Sequence, residues 1–112
     1  MKELKNIKYF IFDLDGTCYL QLEEVFGQVS KKMGEFISEK LNVDLKKAKK
    51  IQTEYFHKYN TTLNGLILKH KVEPHEFLKY VHDIDISFLQ KDKTLREELI
   101  KLKAKKYIFT NG

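Results

Sequence analysis

Two short apolar segments at opposite ends of the chain constrain the fold most strongly. YFIF at residues 9–12 and YIF at 107–109 lack the polar alternation of a half-exposed strand, so each predicts a strand buried on both faces of a parallel sheet. Two parallel strands require a crossover connection, which is normally right-handed. The sequence therefore predicts an α/β fold in which the carboxyl ends of both strands lie along one edge of the sheet.

The residues between these two segments have the periodicity of helices. Apolar residues recur at spacings of three and four, and acidic residues precede several of these stripes, where they can cap a helix. Gly65 lies within the third of these helical segments and disfavours a helix there by about 1 kcal/mol relative to alanine. The expected helices are residues 22–41, a second one capped by Asp44 and running to residue 59, a short third one through Leu63 and Ile67, a fourth starting at Pro74, and a fifth capped by Asp92. This order predicts a sheet domain of residues 1–19 and 92–112, with a helical block of residues 20–91 inserted after the first strand.

Two aspartates, Asp13 and Asp15, follow the first predicted strand directly. Side chains two positions apart share a face, and two ionised carboxylates so close repel each other unless a cation joins them. Magnesium prefers hard oxygen ligands and often takes one or two carboxylates together with water and a substrate phosphate. The pair therefore predicts a Mg²⁺ site, and Thr110, at the end of the second strand, is expected to face the same pocket.

These residue types permit phosphate chemistry. A carboxylate such as Asp13 can attack phosphorus and form an aspartyl-phosphate, while Asp15 can protonate the leaving oxygen and then activate water. The hydroxyl of Thr110 and nearby backbone N–H groups can hold the phosphate oxygens. By itself, DxDG could equally be a solvated turn or part of a calcium loop, and TNG is most often a turn. The apolar strand before the aspartates favours phosphate chemistry.

Composition excludes several classes of protein. The chain is 42% hydrophobic and 33% charged, as in an ordinary globular protein of about one domain. Its net charge of +5 comes from scattered lysines and one arginine, Arg96, without a nucleic-acid-binding module, so no nucleic-acid polymer is expected as a partner. No apolar run approaches the roughly 20 residues of a membrane span. The single cysteine, Cys18, fits a reducing compartment, and the cytoplasm is the expected location.

Two motifs resemble those of a known superfamily. FDLDGT is similar to the first signature motif of the haloacid dehalogenase-like hydrolases, and IFTNG resembles their second. The intervening KYNTTLNGLILKHKVEPHEFLKYVHDIDISFLQKD, followed by LREEL, resembles the helical cap of the pyrimidine 5′-nucleotidase branch. This resemblance implies a partial Rossmann-like sheet with an inserted cap and a magnesium-dependent phosphohydrolase of nucleoside monophosphates. Asp13 would be the nucleophile and a metal ligand, Asp15 the acid and base and a metal ligand through its carbonyl, Thr110 a phosphate ligand, and Asn111 part of the pocket lining.

The third and fourth motifs of that superfamily, a lysine or arginine and further acidic metal ligands, have no counterpart in the 112 residues. The chain is therefore expected to be the amino-terminal portion of such a phosphatase, truncated or completed by a companion chain or by self-association. Two other hypotheses stay open. One is a noncatalytic fragment or helical binding module, and the other is a phosphatase that acts on sugar phosphates.

Overall fold

The computed structural model describes residues 5–111, which form five helices and two strands. Along the chain they are β1 (Tyr9–Phe12), α1 (Leu22–Leu41), α2 (Leu45–Tyr59), α3 (Thr62–His70), α4 (Pro74–Val81), α5 (Lys93–Lys101) and β2 (Lys105–Ile108). The order of strands and helices agrees with the one predicted. The fold is thus a mixture of helix and strand with a two-stranded parallel sheet.

The two strands pair in parallel, as predicted. The register places Tyr9 opposite Lys105 and Phe12 opposite Ile108. One residue further on, the backbone N–H of Phe109 donates to the carbonyl oxygen of Phe12 at 2.9 Å. The ladder therefore runs to the end of β1, and the residues that follow the two strands emerge at the same edge of the sheet.

The predicted burial of both strands is wrong. Tyr9 and Ile11 are 59% and 72% exposed, every residue of β2 is exposed, and Phe109 is 69% exposed. Parallel strands are buried when helices and further strands cover both faces, and within residues 5–111 only two strands are present to form the sheet. The second strand also begins earlier than predicted, at Lys105, and ends at Ile108, because the N–H of Lys105 already pairs with the carbonyl of Lys8 at 3.0 Å.

The chain divides into two compact units. The first takes in the chain up to Glu23 and from Ile86 onward, and so contains β1, α5 and β2; the second runs from Glu24 to Asp85. A division by packing does not say what each unit does, so the assignment of residues 20–91 to an inserted cap stays a prediction. No helix in the described part of the chain combines the length and the apolar character that a membrane crossing requires.

The second unit holds a hydrophobic core of its own. The rings of Phe36 and Phe77 meet edge to face, with centroids 5.2 Å apart, and Tyr80 packs against Phe36 in the same manner at 5.5 Å. Within residues 5–111, every buried apolar side chain belongs to this unit: Val29, Phe36, Ile37, Ala48, Leu66, Val72, Phe77 and Val81. Burial of apolar surface therefore stabilises the helical unit more than the sheet unit.

Capping residues set where the helices begin. The side chains of Asp44 and Asp92 accept backbone N–H groups three residues later, at 2.7 and 2.9 Å, which confirms both predicted caps. Thr61 and Glu73, which the sequence reasoning did not identify, cap α3 and α4 in the same way. Glu73 accepts hydrogen bonds from two backbone N–H groups, and these bonds lower the pKa of its carboxyl. Pro74 occupies the first turn of α4, as predicted.

Gly65 marks a close approach between α2 and α3. A Cβ atom built on Gly65 would lie 2.6 Å from both Cβ and Cγ of Tyr55, which is shorter than any normal contact. Those atoms belong to the stem of the tyrosine and cannot swing aside without moving α2. The glycine that disfavours α3 by propensity is therefore what allows the two helices to pack.

We predict opposite effects for two glycine-to-alanine substitutions. Gly65→Ala should lower the free energy of unfolding by about 1–3 kcal/mol, because overpacking outweighs the better helix propensity of alanine. Gly27→Ala in α1 is the matched control: its Cβ would meet no atom within 4 Å, so propensity alone should raise stability by up to about 1 kcal/mol. Urea denaturation followed by far-ultraviolet circular dichroism measures both. A Gly65→Ala variant as stable as the parent would contradict the close packing of α2 on α3.

Candidate functional site

A tight turn after β1 arranges the residues of the DxDG motif. Gly16 has a φ of +77°, in the left-handed region that favours glycine. The backbone N–H groups of Thr17 and Cys18 both reach back to the carbonyl of Leu14, at 3.3 and 2.9 Å. The chain thereby turns, and the backbone of Tyr19 forms an isolated parallel bridge with that of Asp15. DxDG therefore forms a turn, which lies at the carboxyl edge of the sheet.

Both carboxylate oxygens of Asp15 accept hydrogen bonds from hydroxyl groups. The Tyr19 hydroxyl donates to Oδ1, and the Thr110 hydroxyl donates to Oδ2 at 3.1 Å. The structure thus brings together two of the predicted site residues, Asp15 and Thr110, from the ends of two neighbouring strands. Sequence reasoning missed Tyr19. The sequence feature that could have indicated it is a tyrosine four residues after Asp15, separated from it by a turn at Gly16.

Asp13 lies at the same edge with its side chain exposed. The Thr17 hydroxyl donates to Asp13 Oδ2 at 3.2 Å, and the thiol of Cys18 donates to the Asp13 carbonyl oxygen at 3.4 Å. The carboxylate of Asp13 is therefore accessible to a ligand from solvent. Asn111 is exposed as well, and among the hydrogen bonds within residues 5–111 none joins its side chain to either aspartate.

The environment of Tyr19 raises its pKa to about 12. The main cause is its hydrogen bond to the Asp15 carboxylate, which only the protonated phenol can make; desolvation and the negative charge of Asp15 act in the same direction. At neutral pH the Tyr19 side chain is therefore a hydrogen-bond donor with a firmly held proton.

No protein-family model matches the chain. The chain is, however, similar to Phosphate metabolism protein 8 of Saccharomyces cerevisiae, with 31% identity over 117 residues. The matched region covers 94% of this chain and 36% of the relative, so the chain spans about a third of the length of that curated relative. Its similarity is thus to a protein of phosphate metabolism.

The donor atoms at the sheet edge suit a hard cation. Asp13 and Asp15 offer carboxylate oxygens, and Thr17 and Thr110 hold hydroxyl groups against them. Across residues 5–111, no three His, Cys, Asp or Glu side chains gather into a metal-binding cluster. Mg²⁺ is commonly bound by one or two carboxylates, with the remaining positions left to other oxygen atoms, water and phosphate, so the residues present fit that ion as a partial ligand set.

The coupling between Tyr19 and Asp15 predicts how the tyrosines titrate. In buffer with EDTA, the absorbance of the parent at 295 nm should show an increase near pH 12, caused by ionisation of the Tyr19 phenol. Tyr19→Phe should remove this change, and Asp15→Asn should move it towards the ordinary value of about 10, since the charged acceptor is gone. Because the folded-state pKa is raised, the stabilisation from this pair is complete below about pH 10 and is lost as the pH rises through about 12.

A matched control for this titration is Tyr107→Phe. Tyr107 is 51% exposed and packs beside Tyr9, away from the hydrogen bonds of Asp15, so its removal should leave the change near pH 12 in place. The pKa of Tyr80 is also raised, by desolvation and by Glu39, and this tyrosine is present in every variant. If Tyr19→Phe lost none of the amplitude near pH 12, the phenol hydrogen bond to Asp15 would be disproved.

Proposed function

We propose that the chain carries the nucleophile and the acid–base residue of a magnesium-dependent phosphohydrolase that acts on nucleoside monophosphates. The observation that carries this proposal is the placement of Asp13 and Asp15 at the carboxyl end of β1, with Thr110 from the end of β2 hydrogen-bonded to Asp15. Similarity to a phosphate-metabolism protein supports phosphate chemistry. The FDLDGT and IFTNG motifs support the haloacid dehalogenase-like superfamily, and the helical segment supports its pyrimidine 5′-nucleotidase branch.

In this mechanism the exposed carboxylate of Asp13 attacks the phosphorus atom of the ester. A bond forms between the Asp13 carboxylate oxygen and phosphorus, the bond from phosphorus to the ester oxygen breaks, and protonated Asp15 gives its proton to the leaving oxygen. Water then attacks the aspartyl-phosphate and gives a proton to Asp15, and the electron pair returns to Asp13. The cycle consumes one water and releases alcohol and phosphate.

The other residues of the edge bind and orient the phosphate. Thr110 and nearby backbone N–H groups would donate to the phosphate oxygens, and Asn111 would line the pocket. The carboxylate of Asp13 and the backbone carbonyl of Asp15 would hold Mg²⁺, which when bound screens the repulsion between the Asp13 carboxylate and the phosphate. The described ligand set is partial, so a companion chain, or other basic and acidic residues of a second copy, is proposed to complete it.

The two compact units fit a division of labour. The sheet unit would be the partial Rossmann-like core that carries the chemistry, and the helical unit would be the cap that selects the nucleoside. The base and sugar are assigned by resemblance, since the edge residues themselves recognise only phosphate. The thiol of Cys18 is free, which fits a cytoplasmic location.

A noncatalytic helical binding module is the second candidate function. One observation favours it: the buried apolar core within residues 5–111 belongs entirely to the unit from Glu24 to Asp85, which can be stable without any chemistry at the sheet edge. Such a module would release no phosphate, and its thermal unfolding would not respond to magnesium.

The first function is tested by phosphate release from a panel of nucleoside monophosphates, with Mg²⁺ and then with EDTA. We expect magnesium-dependent release by the parent and a loss of at least about 10³-fold in Asp13→Asn, because an amide cannot form the phosphoenzyme. Asp92→Asn is the matched control, since Asp92 caps α5 in the same unit and has no role in the chemistry.

The outcomes of this assay separate the candidates. Equal release by the parent and Asp13→Asn would refute Asp13 as the nucleophile. Release from sugar phosphates alone would keep the mechanism and replace the substrate. A parent chain that releases no phosphate from any ester and whose thermal unfolding does not respond to Mg²⁺ would refute the catalytic proposal and favour the binding module.

A further inference from the structure

The two hydroxyl groups that donate to Asp15 come from different parts of the sheet unit. Tyr19 approaches Oδ1 from the turn closed by Gly16, and Thr110 approaches Oδ2 at 3.1 Å from the residue pair that follows β2. Hydrogen bonds on both oxygens fix the plane of a carboxylate, because rotation about the bond to the carboxyl carbon would break both. Asp15 is thus oriented before any ligand arrives.

These two donors differ in what a bound phosphate would do to them. A threonine hydroxyl carries one proton, so Thr110 can donate either to Asp15 or to a phosphate oxygen, but not to both at once. Tyr19 is tied to Asp15 through the backbone as well, by the bridge between the two residues, and its phenol can keep the same acceptor throughout. Phosphate binding would therefore remove the donor from Oδ2 and leave the donor on Oδ1.

Resting on the proposed function, we propose that Tyr19 is a positioning residue that holds Oδ1 of Asp15, so that Oδ2 is the oxygen that exchanges the proton. In the first step the proton on Oδ2 passes to the leaving oxygen as the ester bond to phosphorus breaks. In the second step Oδ2 takes a proton from the attacking water. The Tyr19 hydroxyl keeps its own proton in both steps and acts only by fixing the direction in which Oδ2 points.

The leaving group provides a test that separates positioning from a structural role. A nucleoside leaves as a strongly basic alkoxide and needs the proton of Asp15, whereas p-nitrophenolate is a weak base that departs without one. We expect Tyr19→Phe to lower kcat/KM for the nucleoside monophosphate about tenfold, since a hydrogen bond to a charged group is lost, but to lower it less than about twofold for p-nitrophenyl phosphate.

The comparison is made on the full chain with Mg²⁺, beside the parent and the control Tyr107→Phe. The ratio of the two kcat/KM values within one variant does not depend on how much of that variant is folded, so partial misfolding cannot imitate the expected result. Tyr107→Phe should match the parent on both substrates, because Tyr107 packs against Tyr9 rather than at Asp15.

Each outcome decides the matter. Equal losses on both substrates would show that Tyr19 is merely structural and would overturn this inference alone. Parental rates on both substrates in Tyr19→Phe would do the same. A parent chain that releases no phosphate from either substrate and whose thermal unfolding does not respond to Mg²⁺ would overturn the proposed function and this inference with it, so the two failures are distinguishable.

Discussion

The parallel pairing of β1 with β2 is the constraint on which the sheet unit depends. The register from Tyr9 with Lys105 onward, extended by the hydrogen bond between Phe109 and Phe12, brings two segments from opposite ends of the sequence to one edge. A shift of register would carry Thr110 away from Asp15 and would turn its neighbours to the other face. The geometry of the candidate site therefore follows from backbone pairing before any side-chain interaction is considered.

Local sequence patterns predicted the helices well. They did not predict which residues are buried or which side chains meet in the tertiary structure. The bounds of α1 and the caps at Asp44 and Asp92 are encoded in spacing and in side chains that bond to the nearest backbone, so neighbouring residues suffice to predict them. The burial of β1 depends on what covers it, and its apolar composition alone could not show that Ile11 is 72% exposed. Gly65 shows the same limit. It permits the close approach of α3 to Tyr55, and helix propensity cannot predict a contact between two helices.

The candidate site was predictable in the same uneven way. Asp13, Asp15 and Thr110 could be identified because the carboxyl ends of parallel strands share an edge, and the structure joins the last two by a hydrogen bond. Tyr19 was missed because its approach to Asp15 depends on tertiary geometry, namely the left-handed backbone of Gly16 and the closure of the turn onto Leu14. Asn111 follows Thr110 in sequence, yet within the described residues its side chain makes no hydrogen bond to the aspartates. The part that each of these residues would play in catalysis is a proposal.

The concentration of buried apolar side chains in the helical unit has a consequence for how the chain opens. Backbone amides exchange with solvent most slowly where opening must disrupt a packed core, and fastest where little apolar surface is lost. The amides of α1 and α4 should therefore exchange more slowly than those of β1 and β2, although the strands carry the proposed chemistry. A ligand that bridges the ends of the two strands would bind only their paired form and would shift the opening equilibrium by mass action. Substrate would then act in part as a folding cofactor, since its occupancy would help to maintain the sheet edge that binds it.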